Sequence, residues 1–233
     1  MTRRDYLAAI LAFSSLTIVA VGLAGRATGT YNIFFPALYT GSTLFVATAV
    51  ACGALKTWPG RFLLLGLAGC WFGDVLGPTG FYRGALAFAL AHVFFSAALI
   101  LQGVHWRRLA LLALPIAVSQ GLLLYGLLQY VPRGEQLFVS GYTAIIATMV
   151  ALTLSQRFDR RGTKLLMLAA VIFYVSDLFV ARWRFVSPGP ENAFLCYPLY
   201  YTACVMFAWA AGAVGPQDAG DSVRSAEALP QDA

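Results

Sequence analysis

The sequence predicts an all-α integral membrane protein, a helical bundle of about eight transmembrane helices. Three observations predict it. Hydrophobic residues make up 60% of the 233-residue chain and charged ones 11%, with a mean hydropathy of +0.73, a profile that a soluble domain of this length does not show. The apolar residues gather in stretches long enough to cross a hydrocarbon core of ~30 Å. Nearly every charge lies in the short polar gaps between those stretches.

The stretches run over about 6–25, 33–55, 61–77, 82–103, 108–130, 136–155, 163–181 and 194–214. The first follows Arg3 and Arg4, as a signal peptide would, but its apolar run of about 19 residues exceeds the roughly 7–15 of a signal core and predicts a retained span. The second opens at Phe35-Pro36. The third and fourth are dense in small residues (Gly66, Ala68 and Gly69, then Ala85, Ala87, Ala89 and Ala91), which let membrane helices approach closely. The fifth and sixth carry no acid or imidazole side chain of their own. The seventh and eighth are joined by the longest connection, the Pro/Gly-containing RWRFVSPGPEN. Residues 1–214 read as one transmembrane domain. The tail 215–233 is polar, rich in small residues and Pro-punctuated, and is expected to be a disordered cytoplasmic segment.

The net charge of +6 comes from these connections and not from a basic patch, so it argues for orientation and against nucleic acid. With the N-terminus cytoplasmic, eleven of the sixteen basic residues fall on that side (Arg3, Arg4, Lys56, Arg61, Arg107, Arg108, Arg157, Arg160, Arg161, Lys164 and Arg224). Arg26, Arg83, Arg133, Arg182 and Arg184 fall opposite. The asymmetry places both termini in the cytoplasm. Cys52, Cys70, Cys196 and Cys204 all fall inside predicted spans with no CxxC or Cys/His spacing, so neither a disulfide framework nor a structural zinc site is expected.

Against this apolar background Asp74 in GLAGCWFGDVL and Asp177 in LLMLAAVIFYVSDLFVA stand out, because a carboxylate at membrane depth is costly and marks a functional site by default. His92, in GALAFALAHVFFSAALI, joins them. With the termini inside, the span boundaries put Asp74 and Asp177 roughly 3–6 Å below the outer boundary and His92 about 15 Å below it. Gly84, Phe88, His92 and Ser96 form one helix stripe, and Tyr197, Tyr200, Tyr201 and Cys204 form an i, i+3, i+4, i+7 face. Tyr82, Arg83, Arg182 and Arg184 stand near the outer mouth, where they would receive an anionic headgroup. Each has a plainer explanation. Asp74 at a helix end reaches interfacial water or caps the Gly-Pro-Thr-Gly turn, and Asp177 pairs with Arg182 or Arg184. His92 packs helices, the tyrosines form an interfacial belt, and the arginines snorkel. Their convergence on one half of the bilayer favours a site. His105, in GVHWRR, lacks such company and reads as a surface residue.

The succession GLAGCWFGDVL, FYRGALAFALAHVFFSAAL, AAVIFYVSDLFVARWRF and YPLYYTACVMFA resembles the YhhN family, whose animal members are lysoplasmalogenases. The likeness spans most of residues 60–210. It is carried by Gly73-Asp74, by Gly84, Phe88 and His92, by Ser176-Asp177 and by Tyr200-Tyr201. Two positions depart from the family pattern: Phe35-Pro36 stands where Lys-Pro is usual, and Cys204 replaces the polar residue that commonly follows the paired tyrosines. The resemblance implies a multi-helix membrane enzyme, here expected in a bacterial inner membrane. It would hydrolyse the vinyl ether bond of a lysoplasmalogen to a fatty aldehyde and a glycerophospho-base, with Asp74 and Asp177 as the catalytic pair. Ser176 and the tyrosines would help bind the lysophospholipid.

The residues suit that chemistry independently. Vinyl ether hydrolysis needs a proton on the β-carbon, stabilisation of the resulting oxocarbenium ion and a water to attack it, much like glycoside cleavage by two carboxyl groups. From depth, Asp177 is expected to be the acid and Asp74 the stabiliser, with His92 relaying a proton or orienting a carboxylate. No cofactor is implied, and a metal-independent reaction is expected. One intramembrane histidine is too few for a zinc-dependent amidohydrolase. The rival reading is a lipid or small-molecule carrier using the same groups as a proton relay.

Overall fold

A computed structural model of the protein describes residues 3–157 and 162–214. Among them are eight helices long and apolar enough to cross a membrane. They are α1 (Arg3–Ala27), α2 (Phe34–Cys52), α3 (Trp58–Leu76), α4 (Phe81–Gln102), α5 (Trp106–Leu128), α6 (Gln136–Leu154), α7 (Thr163–Ala181) and α8 (Glu191–Ala210). The chain is an integral membrane protein, all-α as its sequence predicts. The tail expected to be disordered lies outside the described residues.

The termini of the helices follow local chemistry. Thr57 caps α3 by accepting from the Gly60 amide at 3.1 Å, and Pro59 sits in the first turn where its missing N–H costs nothing. Gly53 ends α2 at φ +96°, a left-handed conformation that glycine adopts without a Cβ clash. His105, exposed as expected, caps α5 by accepting from the Arg108 amide at 3.3 Å. Short 3₁₀ turns extend several spans. α7 continues into a π turn over Arg182–Val186.

The connections are short, so sequential helices alternate in direction, and α1, α3, α5 and α7 end at one end of the bundle, here called the far end. α3 packs most extensively on α4. Gly66 lies against the Phe95 ring, Gly69 against Ala91, Gly73 against Phe88 and Gly84 against Gly77. A Cβ on Gly66, Gly73 or Gly84 would meet a neighbour at 2.7 Å or less. The small residues therefore act as the sequence suggested, bringing backbones close and leaving room for two large rings. Phe95 stacks on Phe207 at 4.4 Å and, with Phe173 and Met149, ties α4, α6, α7 and α8 into one apolar core. α5 is the exception. It has no buried residue and leans mainly on α6, with Gln120 Nε2 donating to the Tyr174 hydroxyl of α7 at 2.7 Å.

Candidate active site

Asp74 sits in the last turn of α3 and is 8% exposed. Three hydroxyls from two other helices converge on its Oδ2. Ser42 of α2 donates a hydrogen bond, Tyr200 of α8 is at 2.9 Å and Tyr201 at 3.2 Å. Each hydroxyl has one proton to donate. Tyr201 also lies 2.8 Å from the Leu38 carbonyl and 3.0 Å from the Ser42 hydroxyl. The shorter contacts send the Ser42 and Tyr200 protons to Asp74 and the Tyr201 proton to the Leu38 carbonyl, which the Ser42 hydroxyl also approaches at 2.9 Å. Oδ1 takes none of these bonds.

Asp177, on α7, has different company. Its Oδ2 lies 3.2 Å from His92 Nε2 of α4, with the carboxyl side chain 12% exposed and the imidazole wholly buried. The contact has ion-pair distance without the alignment of a hydrogen bond, and His92 Nδ1 has no partner among the described residues. The imidazole is walled by rings, with Phe173 at 4.8 Å, Tyr142 at 5.9 Å and Phe95 at 6.4 Å. The pairing also revises the depths. Because the helical path runs on from Asp177 to Val186, Asp177 lies about 13 Å from the far end of that path, level with His92 and not near the boundary.

Both aspartates line one cavity of about 550 Å³ in the far half of the bundle, a volume suited to a small amphiphile. Its walls are mainly apolar and aromatic, with Phe88 and Tyr142 among them. Phe88 of the predicted stripe is held between Gly73 and Tyr200. Seclusion does not rank the two carboxyls, so the expectation that depth separates them gives way to a distinction by partner.

The remaining candidates divide. Ser176, Tyr197, Tyr200 and Arg184 line the cavity. Ser176 donates to its own helix, at the Phe173 carbonyl. Tyr201 stands behind the wall and acts through Asp74, Ser42 and Leu38. Tyr82 and Arg83 do not line the cavity. The Tyr82 ring packs on Phe81 and Phe138 with its hydroxyl near Glu135 and Arg184, and Arg83 is exposed. Arg182 binds Asn192 and stands 3.5 Å from Glu191, and Arg184 stands 3.8 Å from Glu135. These pairs, and not Asp177, occupy the two arginines, and Asp74 caps no turn. Phe35 lines the cavity, and Cys204 is buried behind it.

The sequence model of the YhhN family matches residues 38–211, most of the chain and both aspartates. The protein belongs to the YhhN family. No curated protein and no solved structure matches the chain.

Two residues of this YhhN site escaped the reading of the sequence. Ser42 stands among Thr40 and Thr43 in α2, and those two return their hydroxyls to their own helix at Pro36 and Tyr39. Spacing gives no sign that Ser42 alone also reaches across to an aspartate. Tyr142 lies in α6, which carries no charge to draw attention to it. A tyrosine on a small-residue helix flank, SGYTA, was the available signal.

Proposed function

We propose that this YhhN protein is a membrane-embedded, metal-independent hydrolase that cleaves the vinyl ether bond of a lysoplasmalogen-like lysolipid. One observation carries the reading: two aspartates with unlike partners face one largely apolar cavity of about 550 Å³. The reaction needs one group that gives a proton and one that bears a negative charge. The Asp177–His92 pair delivers a proton to the β-carbon of the vinyl ether, which places positive charge on the α-carbon and its oxygen. Asp74, held by hydroxyl donors through Oδ2, lies across from that charge and stabilises it. Water then adds to the α-carbon, losing a proton to the Asp177–His92 pair, and the hemiacetal collapses to a fatty aldehyde and the glycerol hydroxyl of the headgroup fragment. The aromatic walls shelter the oxocarbenium ion and strengthen each electrostatic contact by excluding bulk water.

The positive-inside asymmetry supports both termini in the cytoplasm and a cavity in the outer leaflet. The test of function is to incubate purified protein in detergent with ether- and ester-linked lysolipids and follow products by mass spectrometry. Aldehyde from the vinyl ether substrates alone is expected. Absence of any product, with lipid movement only in sealed vesicles, would replace the hydrolase by a carrier.

A further inference from the structure

Arg26, in the last turn of α1, has its guanidinium carbon 4.9 Å from the Phe34 ring centre and 5.6 Å from that of Trp183. Both rings contact Tyr197, at 5.5 and 6.4 Å, and Trp183 and Tyr197 are walls of the cavity. The cation thus stands one ring's thickness from the cavity. These ring contacts give its N–H groups no oxygen to donate to. Nε is buried with no hydrogen-bond partner, and no carboxylate lies within 4.0 Å among the described residues. Position at a helix C-terminus explains why a cation is welcome there, but not why a buried donor has nothing to donate to. Two of the arginines singled out by sequence differ on this point, and the third, Arg83, is exposed and does not line the cavity. Arg182 and Arg184 already face Glu191 and Glu135.

We propose that Arg26 receives the phosphate of the lysolipid headgroup through its N–H edge, with Trp183 and Tyr197 as the aromatic gate between that phosphate and the two aspartates. This rests on the lysolipid reading above and adds the residue that selects for a phosphate-bearing headgroup. The terminal Nη donors of the planar fork suit a phosphate oxygen. The alkenyl chain, attached through glycerol, is then directed into the apolar cavity.

The experiment measures binding to protein purified in a neutral detergent. The probes are a saturated 1-O-alkyl lysophosphoethanolamine, which has no vinyl ether to hydrolyse, the matching 1-O-alkylglycerol, and inorganic phosphate. The wild type is expected to bind the phosphate-bearing lipid about 10- to 100-fold more tightly than the alkylglycerol, the worth of a charge-assisted pair. Arg26→Gln is expected to erase that preference while leaving alkylglycerol affinity unchanged. Arg26→Lys, which keeps the charge and the ring contacts, is expected to lose part of it. The proposal is overturned if the wild type shows no preference, if the Lys variant keeps all of it, or if the Gln variant weakens both lipids equally. Binding of inorganic phosphate as tight as that of the phosphate-bearing lipid would make this a free-anion site and overturn the headgroup assignment. No turnover enters the measurement, so failure of the hydrolase reading shows separately, as absence of aldehyde in the product assay.

Discussion

The two aspartates of the cavity share residue type, half of the bundle and low exposure, yet their surroundings have almost nothing in common. Asp74 is met by hydroxyls from α2 and α8 that can donate to a carboxylate and cannot be expected to supply a proton for chemistry near neutral pH. Asp177 is met by an imidazole, the side chain that most readily takes and returns one. Aromatic rings enclose that second pair, whereas the first is threaded into backbone carbonyls at Leu38 and Cys70. The difference teaches that two equal acids acquire unequal tasks from the groups that touch them. Asp74 is built to stay fixed as an acceptor, and Asp177 is built to exchange.

The most direct way to break this comparison is to neutralise each carboxyl. Asp74→Asn and Asp177→Asn are nearly isosteric and cheaper to bury than a charge, so both variants are expected to fold. Turnover should fall by at least ~10²-fold in each, the lower range for losing a general acid or base. Wild-type aldehyde release should be bell-shaped in pH, with apparent values that belong to the site as a whole. It falls at low pH as the stabilising carboxylate takes up a proton, and at high pH as the acid loses its own. Residual activity of Asp74→Asn should lack the acidic limb and that of Asp177→Asn the alkaline limb. Either variant retaining near wild-type turnover with the fold intact would falsify the two-carboxylate mechanism.

A finer cut separates the partners. Tyr200→Phe removes a donor to Asp74 and should slow turnover about tenfold, the worth of one hydrogen bond to a charged group. Tyr201→Phe removes one of two hydroxyls at the Leu38 carbonyl, the other being Ser42, and should cost about 1 kcal/mol of stability with a smaller change in rate. His92→Gln should slow the reaction less than Asp177→Asn, because the histidine positions and relays without touching the substrate. Melting curves and steady-state rates on the three variants settle the order. A Tyr201 variant slower than the Tyr200 variant at unchanged stability would reverse the proton assignment around Asp74.

Some of this was legible in the chain and some was not, for physical reasons. The eight spans were, since hydrocarbon thickness sets their length and polar residues cluster between them. Asp74, Asp177 and His92 were legible as candidates, because nothing else in the spans resembles them. The pairing of His92 with Asp177 was not. It depends on α7 continuing through the Arg182–Val186 turn, which the charges of RWRF disguised as a loop. Nor was the fate of Arg182 and Arg184, whose partners Glu191 and Glu135 lie in connections that hydropathy treats as featureless. Ser42 was hidden among hydroxyls that look the same in sequence and differ only in what faces them.

The smallest expected effect is that of chelation, and it tests the comparison at its root. If Asp74 and Asp177 have separate tasks set by separate partners, no metal joins them. The geometry favours this. Asp177 lines the cavity with His92 buried behind it, Asp74 is held by hydroxyls through Oδ2, and among the described residues no three His, Cys, Asp or Glu side chains stand close enough to hold an ion. A catalytic zinc keeps at least three protein ligands. Exhaustive chelation of the purified protein, followed by the aldehyde assay, is therefore expected to leave turnover unchanged. Loss of activity with recovery on added zinc would transfer Asp74, Asp177 and His92 from acid-base roles to ligand roles. It would also recast the hydroxyls around Asp74 as groups that orient a metal ligand, and the unlike surroundings of the two carboxyls would then serve one ion.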